Sequence, residues 1–151
     1  MDFIFDAYCG LYCGGCGLFQ ATQQGRNKEI AEKDGKPIED VTCTGCKTDV
    51  VAGWCRQCSI RACAREKGLD YCLDCGEFPC QDWIEFRDAP DWPYHKQAEA
   101  NMRAIKSDGL AAWIKQQDAY WRCSTCNEQV AWLDRTCEHC GGKVNAYLDA
   151  D

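Results

Sequence analysis

Apolar positions follow a helical period most clearly in the second half of the chain. Residues 94–106 (YHKQAEANMRAIK) put Ala98, Met102 and Ile105 on one face of a predicted helix, and Ser107-Asp108-Gly109 interrupts it. A second predicted helix runs from Leu110 to Trp121, with Leu110, Trp113, Ile114 and Tyr120 as its apolar surface. Upstream, QDWIEFRDA is amphipathic through Trp83, Ile84 and Phe86, and Pro90 and Pro93 break the chain after it. Leu18–Asp34 is helix-compatible but mostly polar. Phe19 and Ile30 face inward, Gly25 weakens its middle, and Gly35 with Pro37 ends it. Ser59–Lys67 (SIRACAREK) reads as a short helix, N-capped by Ser59 and stopped by Gly68. Residues 1–8 are too few for more than a terminal strand or an extended lead-in.

Elsewhere the pattern belongs to cysteine. The chain has 15 cysteines in 151 residues, many of them in C-x-x-C pairs, the spacing that lets one turn offer two sulfurs to one metal ion. In front stand Cys9, Cys13 and Cys16, interleaved with glycines whose positive-φ turns can aim backbone N–H groups at sulfur. In the middle, Cys43, Cys46, Cys55 and Cys58 can close one four-sulfur site. Cys63, Cys72, Cys75 and Cys80 can close a second, with Cys63 on its helix facing the Cys72–Cys75 knuckle. A cross-braced arrangement, with the pairs interleaved, uses the same spacings and stays open. At the end, Cys123, Cys126, Cys137 and Cys140 form two knuckles. With a short strand around Val130–Leu133 and Gly141-Gly142 after the last cysteine, they describe a zinc ribbon. His139 inside the last pair points to solvent, and His95 is a surface or helix-cap residue rather than a ligand. Rubredoxin uses similar knuckles with iron.

Composition changes the picture in one respect. Cysteine inflates the apolar fraction of 46%, and without it about 36% remains, thin for a chain that must bury its own core. Metal cross-links can make up the difference. No basic segment followed by a long apolar run opens the chain, and no stretch reads as a membrane span. The expected compartment is the reducing cytosol, where cysteines serve metals rather than disulfides. The formal charge of −7 gives no overall attraction to a phosphate backbone, so nucleic acid is not the expected partner. Arg56, Arg61, Arg65 and Lys67 lie near the sulfur-rich run, and we read them as screening thiolate charge.

The expected fold is therefore a small, metal-dominated α+β protein. It has an irregular cysteine-rich zinc-knuckle domain with short helices over residues 1–90, a helical linker or hairpin over 91–121, and a rubredoxin-like zinc ribbon over 122–151. CGLYCGGCGLF, CTGCKT and CSIRACAREKGLDYCLDCGEFPC together resemble an uncharacterised, cysteine-rich family of bacteria and archaea whose members are taken to bind zinc. IKSDGLAAWIKQQDAYWRC, leading into a zinc ribbon, resembles members carrying that extension. The sequence departs from the family at Gly17 and Gly76, where many members carry proline. The resemblance implies a cytoplasmic prokaryotic metal-binding protein and supplies no reaction.

Two functions compete. In one, three to four zinc ions hold the fold and exposed aromatics, drawn from Trp54, Trp83, Trp92, Trp113, Trp121 and Trp132, recognise a protein partner. In the other, Cys9, Cys13 and Cys16 are left over as a three-ligand site, open for redox or catalytic work with zinc or an iron–sulfur cluster. Asp6, His95 or a cysteine borrowed from the central run would close that site. No Gly-rich phosphate loop, H-E-x-x-H or G-x-S-x-G is present, so no catalytic residue is assigned. Oligomeric state is not readable.

Overall fold

Helices form where the apolar period predicts them, in a computed structural model that describes residues 1–144; the end of the predicted 122–151 unit, residues 145–151, lies outside them. Gly17–Gln23 (α1) and Asn27–Asp34 (α2) replace the single predicted helix, because Gly25 turns with φ of 69° between them. Gly53–Arg56 (α3) is a single turn, and Ser59–Lys67 (α4) follows. Its cap is Cys58 rather than Ser59, which is already helical, and Gly68 ends it in the left-handed region. Gln81–Arg87 (α5), Ala98–Asp108 (α6) and Leu110–Tyr120 (α7) complete the set, with α6 and α7 joined through Gly109 and packed on each other.

The fold is mostly helical, which corrects the α+β expectation. Among the described residues β-pairing is limited to isolated bridges, Asp6 with Tyr12, Arg122 with Gln129, and Thr136 with Lys143. The strand expected around Val130–Leu133 is absent. The Ala131 N–H is taken by the Asp134 carboxylate at 2.8 Å and the Asp134 N–H returns to Ala131 O at 3.1 Å, so the segment closes into a turn.

One connected core joins the front loop and α1 to α4–α7 and the C-terminal turns, while α2 and α3 add nothing to it. Phe19, Trp83, Met102, Trp113, Trp121, Val130 and Val144 are all sealed from solvent within it. Each large side chain buried this way stabilises the fold by about 1.5–3 kcal/mol. Ala98, Met102 and Ile105 line the inward face of α6 as the period predicts, whereas Leu110 stays exposed at the start of α7. Of the six tryptophans, Trp83, Trp113 and Trp121 are core. Trp132 stacks on Tyr94 at 4.6 Å, and Trp54 and Trp92 are left exposed at 56% and 40%.

The lead-in at residues 3–6 ties the front of the molecule together. Its Ile4 N–H binds Thr44 O (2.9 Å), its Phe5 O accepts the Cys13 N–H (2.7 Å), and Asp6 bridges Tyr12. The Cys9–Cys16 loop and the Cys43–Cys46 turn are thus held on either side of one short segment. Gly45 makes this possible. Its φ is 123°, and a Cβ there would collide with Ile4 O.

Candidate metal centres

The C-terminal four cysteines come from two copies of one local device. In each, a C-x-x-C turn is followed by a residue in the left-handed region, Asn127 with φ of 64° and Gly141 with φ of 74°. The N–H of that residue returns to the first cysteine's carbonyl, Asn127 to Cys123 O and Gly141 to Cys137 O, both at 2.8 Å. The two turns face each other, with Cys123 Sγ 3.6 Å from Cys140 Sγ and Cys126 Sγ 3.6 Å from Cys137 Sγ. All four ligand atoms lie within 4.8 Å of one another, and among the described residues this is the one group of three or more potential ligands so close.

The donor set suits a metal ion. Backbone N–H groups of Cys126 and Thr125 point at Cys123 and pull its thiol below the ordinary value. The Gly142 N–H lies 3.4 Å from Cys140 Sγ. Four sulfurs at this separation match a tetrahedral ion with bonds of about 2.3 Å. His139 is exposed beside the site, as expected of a residue that points to solvent.

The remaining eleven cysteines are gathered differently. All are free thiols, and Cys9, Cys13, Cys16 and Cys46 are each largely shielded from solvent. Burial pushes the Cys9, Cys13 and Cys16 thiols up, and neighbouring sulfurs add to the effect. Cys55 rises to about 12 and Cys46 to about 11, again chiefly through burial. A thiolate is costly in such a place unless a cation compensates it, so these sulfurs gain most from a bound metal. The front loop is not set apart. Cys13 accepts the Cys46 N–H and Cys46 accepts the Tyr8 N–H, so the Cys9–Cys16 loop and the Cys43–Cys58 run interdigitate.

Cys63, Cys72, Cys75 and Cys80 neighbour one another, and Cys72 also adjoins the front group, its N–H bound to Tyr8 O at 2.8 Å. Burial lifts Cys72 to about 12, with the charges of Cys80, Cys63 and Cys75 next in importance. Cys63 lies on α4 and faces that knuckle. Lys67, one turn further on, reaches Cys75 Sγ at 3.6 Å and Glu77 at 3.1 Å. Of the four basic residues read as screening sulfur, Lys67 reaches a sulfur directly and the charge of Arg61 pulls the Cys46 thiol down. Arg61 holds the carbonyls of Cys46 and Thr48 at 2.8 Å each, Arg65 pairs with Asp49, and Arg56 pairs with Asp40.

The other candidate ligands are engaged elsewhere. His95 Nδ1 is 2.7 Å from Phe86 O and the ring stacks on Phe86 at 4.0 Å. Asp6 is buried, and its Oδ2 takes the Lys47 ammonium at 2.8 Å and the Tyr71 hydroxyl at 2.5 Å. Lys47 also sits 3.9 Å from the centre of the Tyr71 ring. Nothing in the sequence relates residues 6, 47 and 71, which are brought together only because each neighbours a cysteine turn. Gln20 was equally unreadable. Its buried amide joins the Cys13–Cys16 loop to the C-terminal unit, donating to Gly14 O at 2.9 Å and Val130 O at 3.0 Å. Trp132 donates its N–H to Gly15 O at 2.8 Å, and a Cβ on Gly15 would strike its indole.

With eleven thiols in front and four behind, the cysteine framework is the chain's main signature. Residues 5–85 match the model of DUF3795, a protein family of unknown function. The chain belongs to that family. The match takes in the eleven front and central cysteines and stops before α6, α7 and the C-terminal four. No curated protein and no solved structure matches the chain. DUF3795 membership names no reaction, so the chemistry must be argued from the sulfurs themselves.

Proposed function

We propose that this chain is a multi-zinc structural and interaction protein of the cytoplasm, its ions held by cysteine thiolates and its activity exercised through a protein partner. The observation that carries the reading is the C-terminal group, where four thiols lie within 4.8 Å of one another. Four sulfurs fill a tetrahedral ion's coordination and leave no position for substrate, which is the mark of a structural site. The paired turns fit a rubredoxin-like zinc ribbon. Zinc is favoured because a closed thiolate site needs only a strong, redox-inert Lewis acid, and it contributes folding energy directly. Among the described residues, Trp54 and Trp92 are the exposed aromatic side chains to which a partner's apolar surface would bind. No described helix is long and apolar enough to cross a membrane.

The test is metal analysis of protein purified without oxygen, with its visible spectrum. Colourless protein retaining zinc, and losing the ion of the C-terminal site on Cys140→Ser, supports the reading. A metal-free protein that keeps its near-ultraviolet dichroism, or iron with charge-transfer bands in the visible, would overturn it.

A further inference from the structure

The chain between the two C-terminal cysteine turns rests directly on the front cysteine loop. Cys13–Gly15 form a single 3-10 turn, closed by the Gly15 N–H on Tyr12 O at 3.0 Å and the Cys16 N–H on Cys13 O at 2.9 Å. Both glycine carbonyls of that turn are taken from outside it. The Trp132 backbone N–H donates to Gly15 O at 2.8 Å, and the Gln20 amide donates to Gly14 O at 2.9 Å and to Val130 O at 3.0 Å. The approach is close: a Cβ on Gly15 would lie inside the Trp132 indole. Residues 130–132 thus act as a clasp over the turn that carries Cys13 and Cys16.

What holds the clasp in shape is mostly the sulfur site. Among the described residues, β-pairing in this unit is two isolated bridges, Arg122 with Gln129 and Thr136 with Lys143, one at each cysteine turn. Val130 and Val144 reach the common core, and the chain between them runs out to the exposed Leu133 and back. The two turns that bracket this stretch meet at their sulfurs, Cys123 on Cys140 and Cys126 on Cys137, at 3.6 Å each. A unit this small owes its shape to such a cross-link, because it encloses no core of its own. An ion bound by the four thiols therefore fixes both ends of the stretch that carries the clasp.

We propose that metal occupancy of the Cys123–Cys140 site controls the Cys13–Cys16 turn through residues 130–132. With the ion bound the clasp is closed. Without it the two turns separate, Gly15 O loses its donor and the buried Gln20 amide loses an acceptor. A buried N–H left unpaired is costly, so Gln20 follows the clasp and the turn loosens with it. Gln20 is a positioning residue here, acting on the front loop without being a ligand. The coupling is reciprocal, since a closed clasp must favour the ion as much as the ion favours the clasp. The proposal rests on the reading of the C-terminal cysteines as a metal site and adds regulation to it.

The test follows amide hydrogen exchange in the full chain loaded with zinc. Cys140→Ser should speed exchange of the Gly15 and Cys16 amides about tenfold. It should leave the Leu69 amide, bound to Ala64 O at the end of α4, unchanged. Equal acceleration at all three amides would mean that the whole fold is lost, and no acceleration that the loop is indifferent to the ion. Either result overturns the coupling. Gln20→Ala keeps every cysteine and decides the matter even if Cys140→Ser does not fold. In that variant the two amides should exchange fast with or without zinc. By reciprocity, Cys140 should react with iodoacetamide about tenfold faster than in the unsubstituted chain when a chelator is present. An unchanged Cys140 rate overturns the coupling. If Cys140 of the unsubstituted chain reacts equally fast with and without zinc, the metal-site reading itself fails and the coupling falls with it.

Discussion

The C-terminal four cysteines and the seven at the front are brought together by opposite routes. Between Cys123 and Cys140, each turn is set by hydrogen bonds within its own few residues, and the two turns need only face each other. Between Cys9 and Cys58, local bonds such as Cys16 N–H to Cys13 O and Cys58 N–H to Cys55 O shape single turns but do not bring the turns together. The lead-in at residues 3–6, the Gly45 turn, Trp83 and the core beneath them bring the sulfurs together. The first centre can form wherever its turns form. The second gathering of sulfurs exists only when the hydrophobic core does.

Trp83→Ala should break the comparison most sharply. Trp83 is fully buried, donates to Cys9 O at 3.1 Å and meets Phe78 at 4.6 Å, so its removal should cost about 3–5 kcal/mol. Urea unfolding should show that loss, and metal analysis should show ions leaving the front half while the C-terminal ion stays. Asp6→Ala comes next. It strands the Lys47 ammonium in a site where its side chain is only 15% exposed, at a cost of about 3 kcal/mol. The double variant Asp6→Ala with Lys47→Met should recover most of that in the same measurement.

Gly15→Ala probes the seam between the two regions. The new Cβ must displace the Trp132 indole, an overpacking penalty of about 1–3 kcal/mol. Amide exchange at Trp132 should accelerate while the four-cysteine ion is retained. The smallest effect belongs to His95, whose pKa is lowered by burial against its Phe86 bond. A base with a depressed folded pKa binds more protons unfolded, so stability falls as pH drops below the unfolded value of about 6.5. His95→Gln should flatten that part of a stability-against-pH curve and leave the rest unchanged.

The difference between the regions also explains what the sequence discloses. Spacing alone locates Cys123, Cys126, Cys137 and Cys140, because their closure is local. The apolar faces of α6 and the first residue of α4 fall within a position or so of where periodicity and capping put them. Spacing says less about Cys9, Cys13 and Cys16. They look like a remainder once the central run is paired in order, yet the lead-in folds them into that run. The strand expected at Val130–Leu133 fails for a related reason. Asp134 takes the Ala131 N–H and Gly15 O takes the Trp132 N–H, and neither partner is visible in a β-propensity pattern. Tryptophans suggest a recognition surface by number alone, but three of the six serve the interior.

Gln20 carries a consequence for how this chain can be divided. Its amide spans the Cys13–Cys16 loop and Val130, linking a residue inside the family match to one 110 positions later. Residue 85, where the match ends, is therefore not a place to cut. A fragment ending there would take the Val130 acceptor from Gln20 and the Trp113 indole of α7 from Tyr12, which meets it edge-on at 5.7 Å. In this member of the family, the appended segment is the missing wall of the domain it follows.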